Sequence, residues 1–220
     1  MRKTIVAIFA HPDDEAFGPG GTLAQLALTN DVYLITATGG EAGQCSLEEP
    51  IKNLSSVRKK ELLTSAKILG IKKVFFLGFE DGTLSNNLYH RLAQEIENII
   101  KPLTPDTLLT FEPHGVSGHI DHITISLVTT YLHTRKNYGK ELWFYCISKN
   151  ARKREPDDYF IYFPEGYSSQ EIDITMNVKD VWQTRVAAIH AHASQKHDGE
   201  TILKALENLP KEEYFLLHKK

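Results

Sequence analysis

Cysteine is almost missing from this chain. Only Cys45 and Cys146 occur, far apart and without a Cys-x-x-Cys pair, which argues against a disulfide framework and a cysteine-based zinc site and points to a reducing, cytoplasmic setting. A basic excess is missing too. With 25 Lys and Arg against 28 Asp and Glu the net charge is −3, so there is no electrostatic footprint for nucleic acid, and the short cluster Arg152–Arg154 is flanked by acids. No apolar run approaches the ~20 residues of a membrane-spanning helix. The opening MRKTIVAIFA looks like a leader for a few residues, but it runs straight into His11, Asp13, Asp14 and Glu15 and reads as a first strand. Internal repeats and low-complexity stretches are absent.

What is present suits one well-packed domain over residues 1–220, since 41% of the 220 residues are apolar and need neither disulfides nor a partner to form a core. Apolar β-branched runs at Thr4–Phe9, Val32–Thr38, Lys73–Leu77, Thr107–Phe111 and Leu142–Ser148 predict strands. Helical periodicity lies between them. The clearest case is NLSSVRKKELLTSAKILG, with a polar cap near Asn53 or Ser55, an apolar face at Val57, Leu62, Ala66 and Leu69, and Gly70 as its stop. Further helices are expected near Gly21–Thr29, Asn87–Ile100, Ile123–Thr134 and Val178–His192, with an irregular excursion over Asn150–Ser169. The alternation predicts an α/β fold, a Rossmann-like three-layer sandwich with a mostly parallel sheet.

Such sheets bind ligands outside the carboxyl ends of their strands. The four loops that follow the first four strands read AHPDDEAFGPGG, GGEAGQCS, GFEDGTLS and EPHGVSGHIDH, and glycine, acid and histidine concentrate in them. One acid after a strand is ordinarily a helix cap, and that reading suffices for Glu15. Three successive acids beside His11 would repel one another unless a cation sat among them. GHIDH supplies His119 and His122 around Asp121. Two histidines and one carboxylate, with a fourth position left to water, make the open coordination of a catalytic metal rather than a closed structural site. A metal of this kind suits amide hydrolysis, with a spare carboxylate to take a proton and a second histidine to stabilise the oxyanion and protonate the amine. FGPGGT lacks the GxGxxG spacing of a dinucleotide site, so Gly18, Gly20 and Gly21 read as a close turn beneath the metal. His90, His114, His133, His197 and His218 read as core or surface residues.

AHPDDE and GHIDH together, followed in order by TGGEAG, Arg58 and Glu61, LGFEDG and AIHAHASQ, resemble the LmbE-like, PIG-L-type metal-dependent de-N-acetylases over nearly the whole chain. The resemblance implies that His11, Asp14 and His122 bind Zn2+ or another divalent metal such as Fe2+, and that Asp13 is the general base. It further implies that His119 is the electrophilic and acid partner, kept charged by Asp121. Arg58 and Asp81 match positions that hold a sugar or polar head in relatives, and His192, Ser194 and Gln195 match a C-terminal motif lining the same pocket. Ser117 stands where some relatives have tyrosine, so only a weaker hydrogen bond is available there. The implied activity is removal of an N-acetyl group from an N-acetylglucosamine-type small molecule. Alternatives are an amidase of a larger acyl or thiol conjugate and a non-catalytic, metal-bound sugar-binding protein. Some relatives form trimers or hexamers, which keeps a homo-oligomer open.

Overall fold

The computed structural model describes residues 2–47, 53–85, 87–152 and 162–220. Among these residues seven strands form one sheet in the order β3-β2-β1-β4-β5-β7-β6. These are β1 (Thr4–Phe9), β2 (Asp31–Thr38), β3 (Lys73–Phe79), β4 (Thr107–Phe111), β5 (Glu141–Cys146), β6 (Ile174–Asn177) and β7 (Glu212–Lys219). The first five run parallel, while β7 lies antiparallel between β5 and β6. The helices are α1 (Asp14–Phe17), α2 (Gly20–Ala27), α3 (Leu54–Leu69), α4 (Tyr89–Leu103), α5 (Gly115–Gly118), α6 (Ile120–Thr134), α7 (Trp182–His190) and α8 (Lys196–Leu206).

Strand residues alternate between faces, so β1 serves two cores at once. Ile5, Ala7 and Phe9 pack with Leu23, Leu62, Ala66, Leu69 and Ile189 on the face covered by α2, α3 and α7. Val6, Ile8 and Ala10 pack with Leu92, Ile96, Ile100, Ile125, Val128 and Leu132 on the face covered by α4 and α6. A central strand buried on both faces must read as an unbroken apolar run, and IVAIF does. The helix α3 obeys its end signals: the Asn53 side chain accepts from Ser56 N–H at 3.0 Å, and Gly70 closes it at φ +76°.

The structure departs from the sequence reading in several places. The strands β6 and β7 and the helix α8 were not anticipated, and the expected helix over Val178–His192 begins with a short 3-10 turn at Lys179–Val181 before α7. The basic cluster and the excursion over Asn150–Ser169 fall partly outside the described residues. The strand β7 has a functional consequence, because it carries Glu213. That buried carboxylate accepts from the N–H groups of Gly21 and Thr22 at 2.8 and 2.7 Å and pairs with Arg185 at 3.1 Å, and Arg185 in turn donates to the carbonyls of Ala16 and Phe17. The last strand thereby clamps the loop that follows the first. A Cβ on Gly21 would meet Glu213 Oε1 at 2.8 Å and Val178 at 2.7 Å, which is why that position is glycine. Strand order reverses between β1 and β4, and the crevice at such a point lies outside their carboxyl ends.

Candidate metal centre

His11 follows β1 and is buried with Asp13 and Asp14. The Asp14 carboxylate folds back over the strand end, where Oδ2 accepts from the N–H groups of His11 at 2.7 Å and Ala10 at 3.1 Å. Asp13 goes the other way. Its backbone takes φ 125° and ψ −26°, and its Oδ2 accepts from Arg58 Nη2 at 2.6 Å. Two neighbouring acids are thus given separate directions by one turn.

From β4, the chain turns through α5, whose Val116 adopts φ 64°, and enters α6 at His119. This residue is the helix N-cap, with Nδ1 accepting from the Asp121 N–H at 3.2 Å. His122 lies in the first helical turn, where its Nδ1 meets Gly115 O at 3.0 Å. A carbonyl only accepts, so Nδ1 carries the proton and the Nε2 lone pair of His122 is left to face the site. That Nε2 stands 3.0 Å from His11 Nδ1 and 3.3 Å from Asp14 Oδ1, and His11 Nδ1 is 3.7 Å from Asp14 Oδ2. His11 Nε2 has Asp81 Oδ1 at 2.9 Å and Asp121 Oδ2 at 3.6 Å, but neither is aligned as a hydrogen bond, leaving a buried nitrogen that no made bond satisfies.

These contacts fit a divalent cation. With Nε2–H turned to the carboxylates, a neutral His11 presents Nδ1 as a lone pair, and two lone pairs 3.0 Å apart beside a carboxylate repel unless a proton or a metal cation lies between them. The three histidine rings also bring a nitrogen each within 4.8 Å of one another. The geometry nevertheless sets His119 apart: its Nδ1 already accepts a backbone hydrogen, so the proton belongs on Nε2, which makes His119 a donor rather than a ligand.

The electrostatics agree. Burial works hardest against a charge on His11, yet Asp121, Asp81 and Asp14 together raise its pKa to about 10. This corner of the protein demands positive charge. Burial lifts Asp13 to about 6 against the pull of Arg58, with Asp14 adding repulsion. Asp14 is held well below the carboxylate range although its burial opposes this, because His122 and His11 stand beside it. Burial and the charges of His11 and His122 lower His119 to about 4.

The structure brings His11, Asp13, Asp14, Asp81, His119, Asp121 and His122 together and moves several of them out of their expected tasks. The Asp121 carboxylate accepts from Gly82 and Leu84 N–H at 2.8 and 3.1 Å and so ties the loop after β3 to α6, and its raising effect on His119 is outweighed by burial and by the charges of His11 and His122. Asp81 accepts from Ala42 N–H at 3.1 Å and backs His11. Arg58 is buried, donating to Gly40 O, Pro12 O and Asp13 at 2.6 Å each, while its Nε–H has no hydrogen-bond partner among the described residues. Glu61 accepts from Ser194 N–H and Oγ. His192 is fully enclosed against Glu15 at 2.7 Å, so it lines no pocket. Ser117 Oγ turns to Gly115 O at 3.5 Å. Beside Pro12 a cavity of about 270 Å³ opens among Thr38, Gly39, Lys59, Phe76 and Glu80, and none of the histidines lines it.

Comparison with known families decides the kinship. The family model for PIG-L, the GlcNAc-PI de-N-acetylases, matches residues 6–133. The chain belongs to this family. It is 30% identical over 220 residues to the 1D-myo-inositol 2-acetamido-2-deoxy-alpha-D-glucopyranoside deacetylase of Corynebacterium glutamicum, covering 87% of this chain and 74% of that one. It is 28% identical over 204 residues to a probable N-acetyl-alpha-D-glucosaminyl L-malate deacetylase 2 of Bacillus cereus, covering 89% and 84%. Among solved structures, the N,N'-diacetylchitobiose deacetylase of Pyrococcus horikoshii superposes with a TM-score of 0.73 at 20% identity over 99% of this chain and 84% of that one. The 4-carboxy-2-hydroxymuconate hydratase GalB of Pseudomonas putida does so with 0.69 at 17% over 99% and 97%. These two likenesses show the fold.

Proposed function

We propose that this protein is a metal-dependent hydrolase that removes the acetyl group from an N-acetylglucosamine-type conjugate, releasing acetate and the free amine. The observation that carries the reading is the separation of the two neighbouring acids, Asp14 beside the facing nitrogens of His11 and His122 and Asp13 held apart by Arg58. The family match and the activities of the relatives support it.

His11, Asp14 and His122 would hold the metal, Gly115 O would fix the tautomer of His122, and the nearby carboxylates of Asp81 and Asp121 would favour a proton on His11 Nε2. Two imidazoles and one carboxylate suit Zn2+ and Fe2+ alike. When bound, the cation supplies Lewis acidity toward the amide carbonyl and makes water acidic enough to attack at neutral pH. Asp13 accepts the proton of the attacking water. His119, fixed by its capping bond with Nε2–H as donor, hydrogen-bonds the developing oxyanion, and the proton that Asp13 has taken from water passes to the departing nitrogen. One water is consumed, the C–N bond breaks, and the amine leaves protonated.

The test is a panel of N-acetylglucosamine conjugates incubated with the metal-loaded protein and with protein treated with chelator, scored by mass spectrometry for acetate and free amine. The reading requires metal-dependent release of both. Release of a larger acid from acylated thiol conjugates, with acetyl compounds untouched, would replace it with the broader amidase reading. Binding of the sugars without turnover would replace it with a non-catalytic one. Where the panel is cleaved, size-exclusion chromatography with light scattering decides whether a homo-oligomer does the work.

A further inference from the structure

Glu15 has more to do than cap a helix. It is buried, and one carboxylate receives three donors: the Asp13 N–H at 3.1 Å on Oε2, and Ser65 Oγ and His192 Nε2 on Oε1 at 2.5 and 2.7 Å. Ser65 belongs to α3 and His192 follows α7, so Glu15 is anchored from two elements remote in sequence. The His192 ring has its other nitrogen buried without a hydrogen-bond partner, which leaves Glu15 as its polar anchor among the described residues. Asp13 meanwhile holds a left-handed φ that residues with side chains resist, and such a conformation lasts only where the surroundings enforce it. Arg58 grips the carboxylate and the Pro12 carbonyl, but among the described residues only Glu15 grips the Asp13 N–H.

We propose that Glu15, backed by Ser65 and His192, is a positioning residue that fixes the strained Asp13 peptide and thereby aims the Asp13 carboxylate away from Asp14. This rests on the reading of Asp13 as the proton acceptor. Without Glu15 the Asp13 N–H is buried and unpaired, and the turn relaxes toward negative φ, carrying the side chain off its line.

The experiment measures kcat, KM, metal content and thermal midpoint in Glu15→Gln, His192→Ala, His192→Gln and the double variant E15Q/H192A, with Asp13→Asn alongside. A glutamine at 15 turns an amide NH2 toward one of its three donors. Because misplacement of a reacting group by about an ångström costs up to 10²-fold, kcat in E15Q should fall by about 10- to 100-fold with KM and metal content unchanged. H192A should fall in the same direction, H192Q should recover because its amide nitrogen reaches the place of Nε2, and the double variant should be no slower than E15Q. Should E15Q not fold, Ser65→Ala and H192A carry the same comparison. If these variants lose only thermal stability while kcat per folded molecule stays at the parent value, the proposal is overturned. If Asp13→Asn keeps full activity, the reading of Asp13 falls and the proposal with it. An inactive Asp13→Asn beside a fully active E15Q overturns the Glu15 proposal alone.

Discussion

Replacing Arg58 should cripple catalysis rather than substrate affinity, opposite to what its position in the sequence suggests. Arg58 is 3% exposed and its guanidinium donates three bonds of 2.6 Å, to Gly40 O, Pro12 O and Asp13 Oδ2. It also lies so close to Gly40 that a Cβ there would stand 2.4 Å from Nη1. Truncation to alanine leaves a buried carboxylate without its cation and two carbonyls without donors. Removing one partner of a buried ion pair costs about 3–5 kcal/mol. At roughly 2–4 °C per kcal/mol for a chain of this size, Arg58→Ala should melt roughly 6–20 °C lower. Arg58→Lys should fall between parent and alanine, since an ammonium keeps the charge without the planar fork that spans three acceptors. In the folded fraction kcat should drop in both, because Asp13 loses the group that orients it. Thermal unfolding followed by circular dichroism, with saturation kinetics on the same samples, measures both quantities. A melting point within about 2 °C of the parent, together with unchanged kcat and raised KM, would refute the reasoning and return Arg58 to the substrate.

Metal and proton transfer should separate cleanly: Asp14→Asn and His122→Ala lose the metal by elemental analysis. Asp13→Asn keeps it but loses about 10²- to 10⁴-fold in turnover, as removal of a general base does. Metal present in Asp14→Asn and absent in Asp13→Asn would mean the two roles are exchanged. Glu213→Ala, which strands Arg185 in the interior, should cost about 3–5 kcal/mol in denaturant unfolding; an effect under about 1 kcal/mol would show that the clamp of β7 on the first loop is not a stabilising one. Chelation should lower the melting temperature, because a ligand present at about 100 times its Kd contributes about 2.7 kcal/mol; equal melting points with and without metal would remove the case for a resident cation.

The parts of the site that were legible in the sequence are those written as residue type and spacing. AHPDDE after an apolar run and GHIDH before a helical one mark where the polar side chains gather, because strand ends and helix caps follow local rules. Hydrogen-bond assignments were not legible. Asp121 and His119 are neighbours in sequence, yet the carboxylate bonds the backbone of Gly82 and Leu84 while only its N–H meets His119. Arg58 reads as a free cation on a helix until the loop at Gly40 closes over it. The strand β7 stayed hidden because EEYFLLHK sits half-buried between two antiparallel neighbours, and its pairing with Phe144 and Tyr145 depends on residues some 70 positions earlier.

The sheet by itself does not choose a reaction, since the same fold superposes on deacetylases and on a hydratase. What specialises this chain lies in how one turn treats two adjacent acids. Asp14 needs only the strand end, whose N–H groups at Ala10 and His11 draw it inward toward the histidines. Asp13 needs much more: a left-handed backbone, a buried arginine from α3, and Glu15 on its N–H. A site that required only metal binding would have no use for this second set of constraints. That Asp13 is held at such structural cost is the physical argument that its direction, and not merely its charge, matters to what the protein does.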